Sequence, residues 1–267
     1  MSFVTMKGCN DITQAHSFTR SAVLLTMAYE GTELATGSGV IARDSYGSLY
    51  LITAWHNLSG KRPGSGSPIS DKGGIPNQLR VEGSNVQFAT SLYAGKNDPN
   101  TDKALFATHP SGSIVDATVF RVAAGTRVDY PLDRSFLMPR YNEELPLYVG
   151  QTCYVLGFPE GLIHRPFEKA TFPIWKTGNI ASEPLFDFDG QPKLLIDATT
   201  RRGMSGAMVV VSEKGRNRFV GIYSGRYKQA ESGDNPDPNP YFTAELGWVF
   251  RSEVVSELIQ ALRSQST

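Results

Sequence analysis

Arg202-Gly-Met-Ser-Gly-Ala-Met-Val209 sets a serine between two glycines and runs straight into an apolar stretch. A serine hydroxyl is a poor nucleophile at neutral pH and needs a base that takes its proton as it attacks. Imidazole suits that task, because its ordinary pKa lies near neutrality. Upstream, Leu51-Ile-Thr-Ala-Trp-His56-Asn57 is a strand pattern that runs into such a histidine. The imidazole in turn needs a group on its other nitrogen, and a carboxylate both orients it and stabilises the imidazolium. Ile114-Val-Asp116-Ala-Thr-Val-Phe120 places a lone aspartate inside an apolar run. Attack on a carbonyl also creates an oxyanion that needs preorganised donors. Backbone N–H groups in a tight turn can supply them, and Gly203 and Gly206 permit such a turn.

Each segment alone has an ordinary explanation: a packed histidine, a turn aspartate, a loop-to-strand turn. Their joint order carries more weight. Histidine, aspartate and serine follow one another at separations of 60 and 89 residues, each beside an apolar strand pattern. An α/β-hydrolase elbow needs its histidine after its serine, yet the last histidine is His164. The subtilisin order of Asp, His, Ser could start from Asp44, but the chain lacks the helices of an α/β fold. The four histidines form no HExxH pair for a metallo-hydrolase, and no metal site is expected.

Around these segments, short apolar runs alternate with turn clusters. Ser21–Ala28, Gly39–Ala42, Leu49–Thr53, Val86–Tyr93, Val115–Val122, Gln151–Leu156, Leu194–Asp197, Met208–Val211 and Phe219–Tyr223 read as strands. Strands at this density predict an all-β barrel or sandwich. One helix is predicted from Ser252, where Val254, Val255, Leu258, Ile259 and Leu262 share a face. Gly60–Asn77 and Glu231–Pro240 are dense in Gly, Pro, Ser, Asn and Asp and read as exposed loops.

Composition excludes several classes. The chain has 267 residues, with 26 Lys+Arg against 26 Asp+Glu, and 42 residues are Gly or Pro. Zero net charge argues against a dedicated nucleic-acid binder. No apolar run approaches the roughly 18 residues of a membrane span, and the start lacks the pattern of a secretory signal. Cys9 and Cys153 form no disulfide framework, so a reduced cytoplasmic home is expected.

At these residues the sequence resembles the trypsin/chymotrypsin-like serine peptidases, and more closely their disulfide-free bacterial branch. The likeness rests on Gly37-Ser-Gly-Val-Ile41, Thr53-Ala-Trp-His56, Val115-Asp116-Ala-Thr-Val119, Tyr154-Val-Leu-Gly-Phe-Pro159 with Gly161-Leu162, Gly178-Asn-Ile-Ala-Ser182, Gly203-Met-Ser-Gly206 and Val220-Gly-Ile-Tyr-Ser-Gly225. The resemblance implies two six-stranded antiparallel β-barrels with the site between them and a C-terminal α-helix outside. The expected divisions are an N-terminal extension over residues 1–20, barrels over 21–130 and 131–251, and a helix over 252–267. His56 and Asp116 would come from the first barrel and Ser205 from the second, with the N–H groups of Gly203 and Ser205 as the oxyanion hole. No cofactor is implied.

The resemblance also places Thr199 near the base of the primary specificity pocket, with Ser224, Gly225 and Arg226 on its wall. No carboxylate occupies the base position. Met204 replaces the aspartate that, in many secreted members, pairs with a newly cut N-terminal amine, so that activation route is not expected. The implied activity is peptide-bond hydrolysis through a His-Asp-Ser triad and an acyl-enzyme. The implied partner is a protein or peptide substrate, with no nucleic acid and no membrane. Two other readings stay open: a protease held latent until an activating protein partner moves Gly60–Asn77 or Glu231–Pro240, and a catalytically silent module that grips a peptide by strand addition.

Overall fold

A computed structural model describes residues 12–70, 74–137, 145–168, 170–226 and 245–264. The loop Glu231–Pro240 lies outside the described residues. Six strands make the first sheet: β1 (Ala22–Tyr29), β2 (Thr32–Arg43), β3 (Leu49–Thr53), β4 (Gln78–Gly83), β5 (Gln87–Ser91) and β6 (Thr118–Arg121), in the order β5-β4-β1-β2-β3-β6. The second half contains β7 (Thr152–Gly157), a hairpin of β8 (His164–Phe167) and β9 (Ala170–Phe172), then β10 (Ile174–Ile180), β11 (Lys193–Asp197), β12 (Met208–Glu213), β13 (Arg216–Arg226) and β14 (Leu246–Arg251). Six of these close into a barrel, β10-β11-β14-β13-β12-β7. Three α-helices are described, α1 (Ser17–Ser21), α2 (Trp55–Ser59) and α3 (Ser252–Ser264), with 3-10 turns at Ile12–Gln14 and Arg134–Leu137.

The first half closes differently from the ring of six strands expected. Its edge strands β5 and β6 do not pair. The chain after β5 bridges them instead: Leu105 N–H donates to the Leu92 carbonyl and Ala107 N–H to that of Val119, both at 2.9 Å. Isolated bridges Tyr93↔Ala104 and Phe106↔Phe120 mark the seam. The intervening segment carries Pro99 and polar turn residues, which cannot hold a regular strand.

Side-chain alternation sorts most of the buried apolar residues into three large clusters, beside a small one of Ala22, Leu24 and Phe158. On the first sheet, Val23, Leu25, Ile41, Leu51 and Phe120 point into one core. In the second barrel, Val155, Ile196, Val209, Tyr223 and Val249 fill another. The residues between them in sequence point the other way. Val40, Ile52 and Val119 from the first half meet Leu156, Met208, Ile222 and Phe250 from the second, and α3 adds Val254, Val255, Leu258 and Ile259. Strands buried on both faces explain the continuous apolar runs of the sequence. Phe18 of α1 is fully buried in this shared cluster, although it falls in the stretch read as an extension. No helix among the described residues is long and apolar enough to cross a membrane.

Candidate active site

The pairing of β3 with β6 brings the histidine and aspartate together. Their antiparallel register matches Thr53 with Thr118. Continued past the strand ends, it sets the residues after β3 against those before β6. The chain leaves β3 into α2, a single turn that carries His56 and ends at Gly60. The carboxylate of Asp116 then accepts from the His56 backbone N–H at 2.9 Å through Oδ1. His56 Nδ1 lies 2.6 Å from Oδ2. A carboxylate only accepts at neutral pH, so Nδ1 carries the proton and Nε2 is left as the basic nitrogen.

Ser224 Oγ donates a third hydrogen bond to Asp116 Oδ2. The sequence reading puts Ser224 on a pocket wall, but its hydroxyl turns to the carboxylate. A register shift between Tyr223 and Gly225 frees Ser224 from the pairing with β14 and permits this turn. Gly225 is half-buried and Arg226 exposed at the end of the same strand.

Burial and charge act against each other in this pair. For Asp116, burial pushes the pKa up, but the His56 charge and the hydrogen bonds outweigh it and hold the carboxyl below its ordinary range. For His56, burial pushes the pKa down, and the Asp116 charge and hydrogen bond overcome this and raise it.

Ser205 sits in a turn that both halves hold in place. Its carbonyl accepts from Ser38 N–H and from Asn57 Nδ2, both at 2.8 Å. Asn57 also donates to Thr53 Oγ1 at 2.9 Å, and Thr53 Oγ1 donates to the Ser38 carbonyl at 2.6 Å. Ser38 Oγ in turn donates to the Gly203 carbonyl at 2.7 Å and accepts from Phe158 N–H at 2.9 Å. Gly206 has a φ of +86°, and a Cβ there would lie 2.0 Å from the Ser38 carbonyl oxygen. Only glycine fits this crossing point of the two halves. Ser38, Thr53 and Asn57 are the site residues that sequence reading does not assign, although each falls within or beside a quoted motif.

Two backbone donors beside Ser205 are left unused because of where the neighbouring carbonyls point. The Arg202 carbonyl accepts from Glu160 N–H at 2.8 Å, and the Met204 carbonyl accepts from Ala207 N–H at 2.9 Å. A planar trans peptide sets its N–H opposite its C=O. The N–H groups of Gly203 and Ser205 therefore point away from those bonds, and among the described residues neither finds a protein acceptor. Met204 is completely buried in the second core, so this turn is anchored by apolar packing.

Thr199 does not stand alone at its position. Its hydroxyl donates to Glu245 Oε2 at 2.6 Å, so a carboxylate lies where the residue at that sequence position offers none. Glu245 reaches it because β14 begins at the next residue and pairs with the end of β11, Asp197↔Leu246. Thr200 hydrogen-bonds the hydroxyl of buried Tyr223.

His56 and Ser205 line one cleft of about 530 Å³, together with Gly203, Asn57 and Arg202. A carboxylate-bound imidazole, a serine held at the same opening and two free backbone donors can together perform acyl transfer.

No family model matches the chain, and no curated protein matches it. Solved structures do. A serine endoprotease from Yersinia pestis is similar at 15% identity and a TM-score of 0.53, over 93% of this chain and 64% of that one. The chain thus spans less than two thirds of that protease's length. An inactive form of a protease from M. tuberculosis is similar at 16% identity and a TM-score of 0.52, over 92% and 90% of the two chains. The protease Anisep from Arthrobacter nicotinovorans gives 11% identity and a TM-score of 0.51, over 94% and 98%. The chain has the chymotrypsin-like fold of these serine proteases.

Proposed function

We propose that the protein is a serine endopeptidase. His56 Nε2 takes the proton of Ser205 Oγ as the hydroxyl attacks a peptide carbonyl. Asp116 fixes the tautomer that leaves Nε2 free and stabilises the imidazolium that forms. The N–H groups of Gly203 and Ser205 receive the oxyanion. His56 then gives its proton to the leaving amine, an acyl-enzyme remains on Ser205, and water attacks it with His56 as base again.

The observation that carries this reading is the Asp116–His56 hydrogen bond beside the opening that His56 shares with Ser205. Asn57 ties the histidine's own helix to the Ser205 carbonyl. The turned-away carbonyls of Arg202 and Met204 support donors that are already in place before substrate arrives.

The test is to incubate wild type and Ser205→Ala with a mixture of unfolded proteins and map new N termini by mass spectrometry. New termini with wild type alone support the reading. Identical spectra for the two proteins, with peptide still bound, leave the silent peptide-binding module instead.

A further inference from the structure

The cleft beside Ser205 carries charge that the triad does not use. Arg62 and Arg202 both line it, and both are exposed. Among the described residues, neither guanidinium has a hydrogen-bond or ion-pair partner. Among the described residues, Glu160 is the one carboxylate in the lining against two guanidinium groups, a cationic excess. Met27, Leu34 and Ile69 add apolar side chains to the same lining.

Both arginines project from pinned backbone. Arg62 N–H donates to the Ser67 carbonyl at 2.8 Å, and Gly66 N–H donates to the Arg62 carbonyl at 2.9 Å, which closes a tight turn. The Arg202 carbonyl is held by Glu160 N–H. Such fixed bases lower the ordering cost of an ion pair with an incoming chain.

Which part of a substrate meets them follows from the proton's path, and here the argument rests on the peptidase reading. His56 must hand its proton to the leaving amine, so the leaving chain passes over the imidazole. Asn57, Gly60 and Arg62, which follow the imidazole along the chain, line the cleft, and no residue of β13 does. We infer that this cleft receives the substrate segment just C-terminal to the scissile bond, and that Arg62 and Arg202 select acidic side chains there.

Partly exposed ion pairs are each worth a factor of about 1.5 to 5, so two pairs give a preference of roughly tenfold. Salt screens such pairs over about 10 Å at 0.1 M, so the preference is salt-sensitive.

The experiment uses the Ser205→Ala protein and peptides with a free amino terminus and a C-terminal fluorophore. One peptide carries Glu and Asp at its first three positions, the other Gln and Asn. Fluorescence anisotropy at low and high salt gives both affinities. The expected result is roughly tenfold tighter binding of the acidic peptide at low salt. That preference should shrink in Arg62→Gln and in Arg202→Gln and vanish in the double variant. Equal binding of the two peptides overturns the inference. So does a preference that survives the double variant, or no binding of either peptide up to millimolar concentration.

Labelling of the wild type by a fluorophosphonate serine probe is measured alongside. Labelling without charge preference sinks the inference and leaves the peptidase reading intact. Charge preference without labelling sinks the peptidase reading and leaves a cleft that captures acidic peptides.

Discussion

Asp116 is the residue on which the site's electrostatics turn. It is buried, yet it stays ionised because His56 and Ser224 give it three hydrogen bonds. Asp116→Asn removes the charge that raises the His56 pKa and leaves burial, which lowers it. A general base must be neutral, so activity rises with pH through that pKa. The acid limb of the kcat profile should therefore move to lower pH in the variant, while kcat falls by about 10⁴-fold because the tautomer is no longer fixed. Rates measured across pH for both proteins check the two effects together.

The same pair shapes stability. His56, with its pKa raised from the ordinary 6.5, stabilises the fold below that value and loses the effect as pH rises through its folded pKa. Asp116, lowered from 3.8, stabilises above that value and loses the effect as pH falls through its folded pKa. Both contributions are present between about pH 4 and 6.5. The urea midpoint of wild type relative to Asp116→Asn should be greatest in that window. A difference that keeps growing above pH 8 would contradict the pairing.

At the scale of elements, the site depends on how α2, β2 and the Ser205 turn cross. Gly206→Ala would drive a Cβ to within 2.1 Å of Thr53 Oγ1 and closer still to the Ser38 carbonyl, at a φ that disfavours alanine. A loss of about 3 kcal/mol or more is expected, with activity lost alongside. Asn57→Ala takes one of two donors from the Ser205 carbonyl. That change should cost about 1–3 kcal/mol of stability. It should also lower kcat more than it changes KM, because the nucleophile drifts while most of the cleft lining stays in place. Denaturant titration and steady-state kinetics on a cleaved peptide separate the two effects.

Part of this was legible in the sequence. Leu49–Thr53 reads as a strand and is one, and the helix from Ser252 is where its apolar face predicts it. The order of His56, Asp116 and Ser205 is visible because each sits at the end of an apolar run. β4 escapes notice, since Gln78-Leu-Arg-Val-Glu-Gly83 offers only two large apolar side chains. Val115–Val122 reads as one strand, yet only Thr118–Arg121 pairs, and Asp116 occupies the turn before it. Sequence reading leaves Ser38 and Asn57 unassigned and puts Ser224 on a pocket wall instead of on Asp116, because their partners lie 165, 148 and 108 residues away. Such contacts leave no periodicity to read.

For the whole molecule, the shared cluster between the halves matters most. It draws on α1, both sheets and α3, and it holds as many large side chains as either half's own core. Arg263 at the end of α3 also reaches back to Asp44, after β2. The two halves should therefore unfold together, in one calorimetric transition. Phe18→Ala should lower that transition by the equivalent of about 3–5 kcal/mol. Two separated transitions, or a Phe18→Ala protein of unchanged stability, would contradict a common core. Because His56 and Asp116 come from one half and Ser205 from the other, this cluster also sets how accurately the three groups of the proposed triad meet.

The central claim is that Ser205 is an activated nucleophile. The direct measurement is intact mass after exposure to a fluorophosphonate probe, on wild type, Ser205→Ala and His56→Ala, each shown to be folded. One adduct on wild type, none on Ser205→Ala and a much slower reaction on His56→Ala is the predicted result. An unlabelled wild type, or a Ser205→Ala protein that labels equally well, would contradict it.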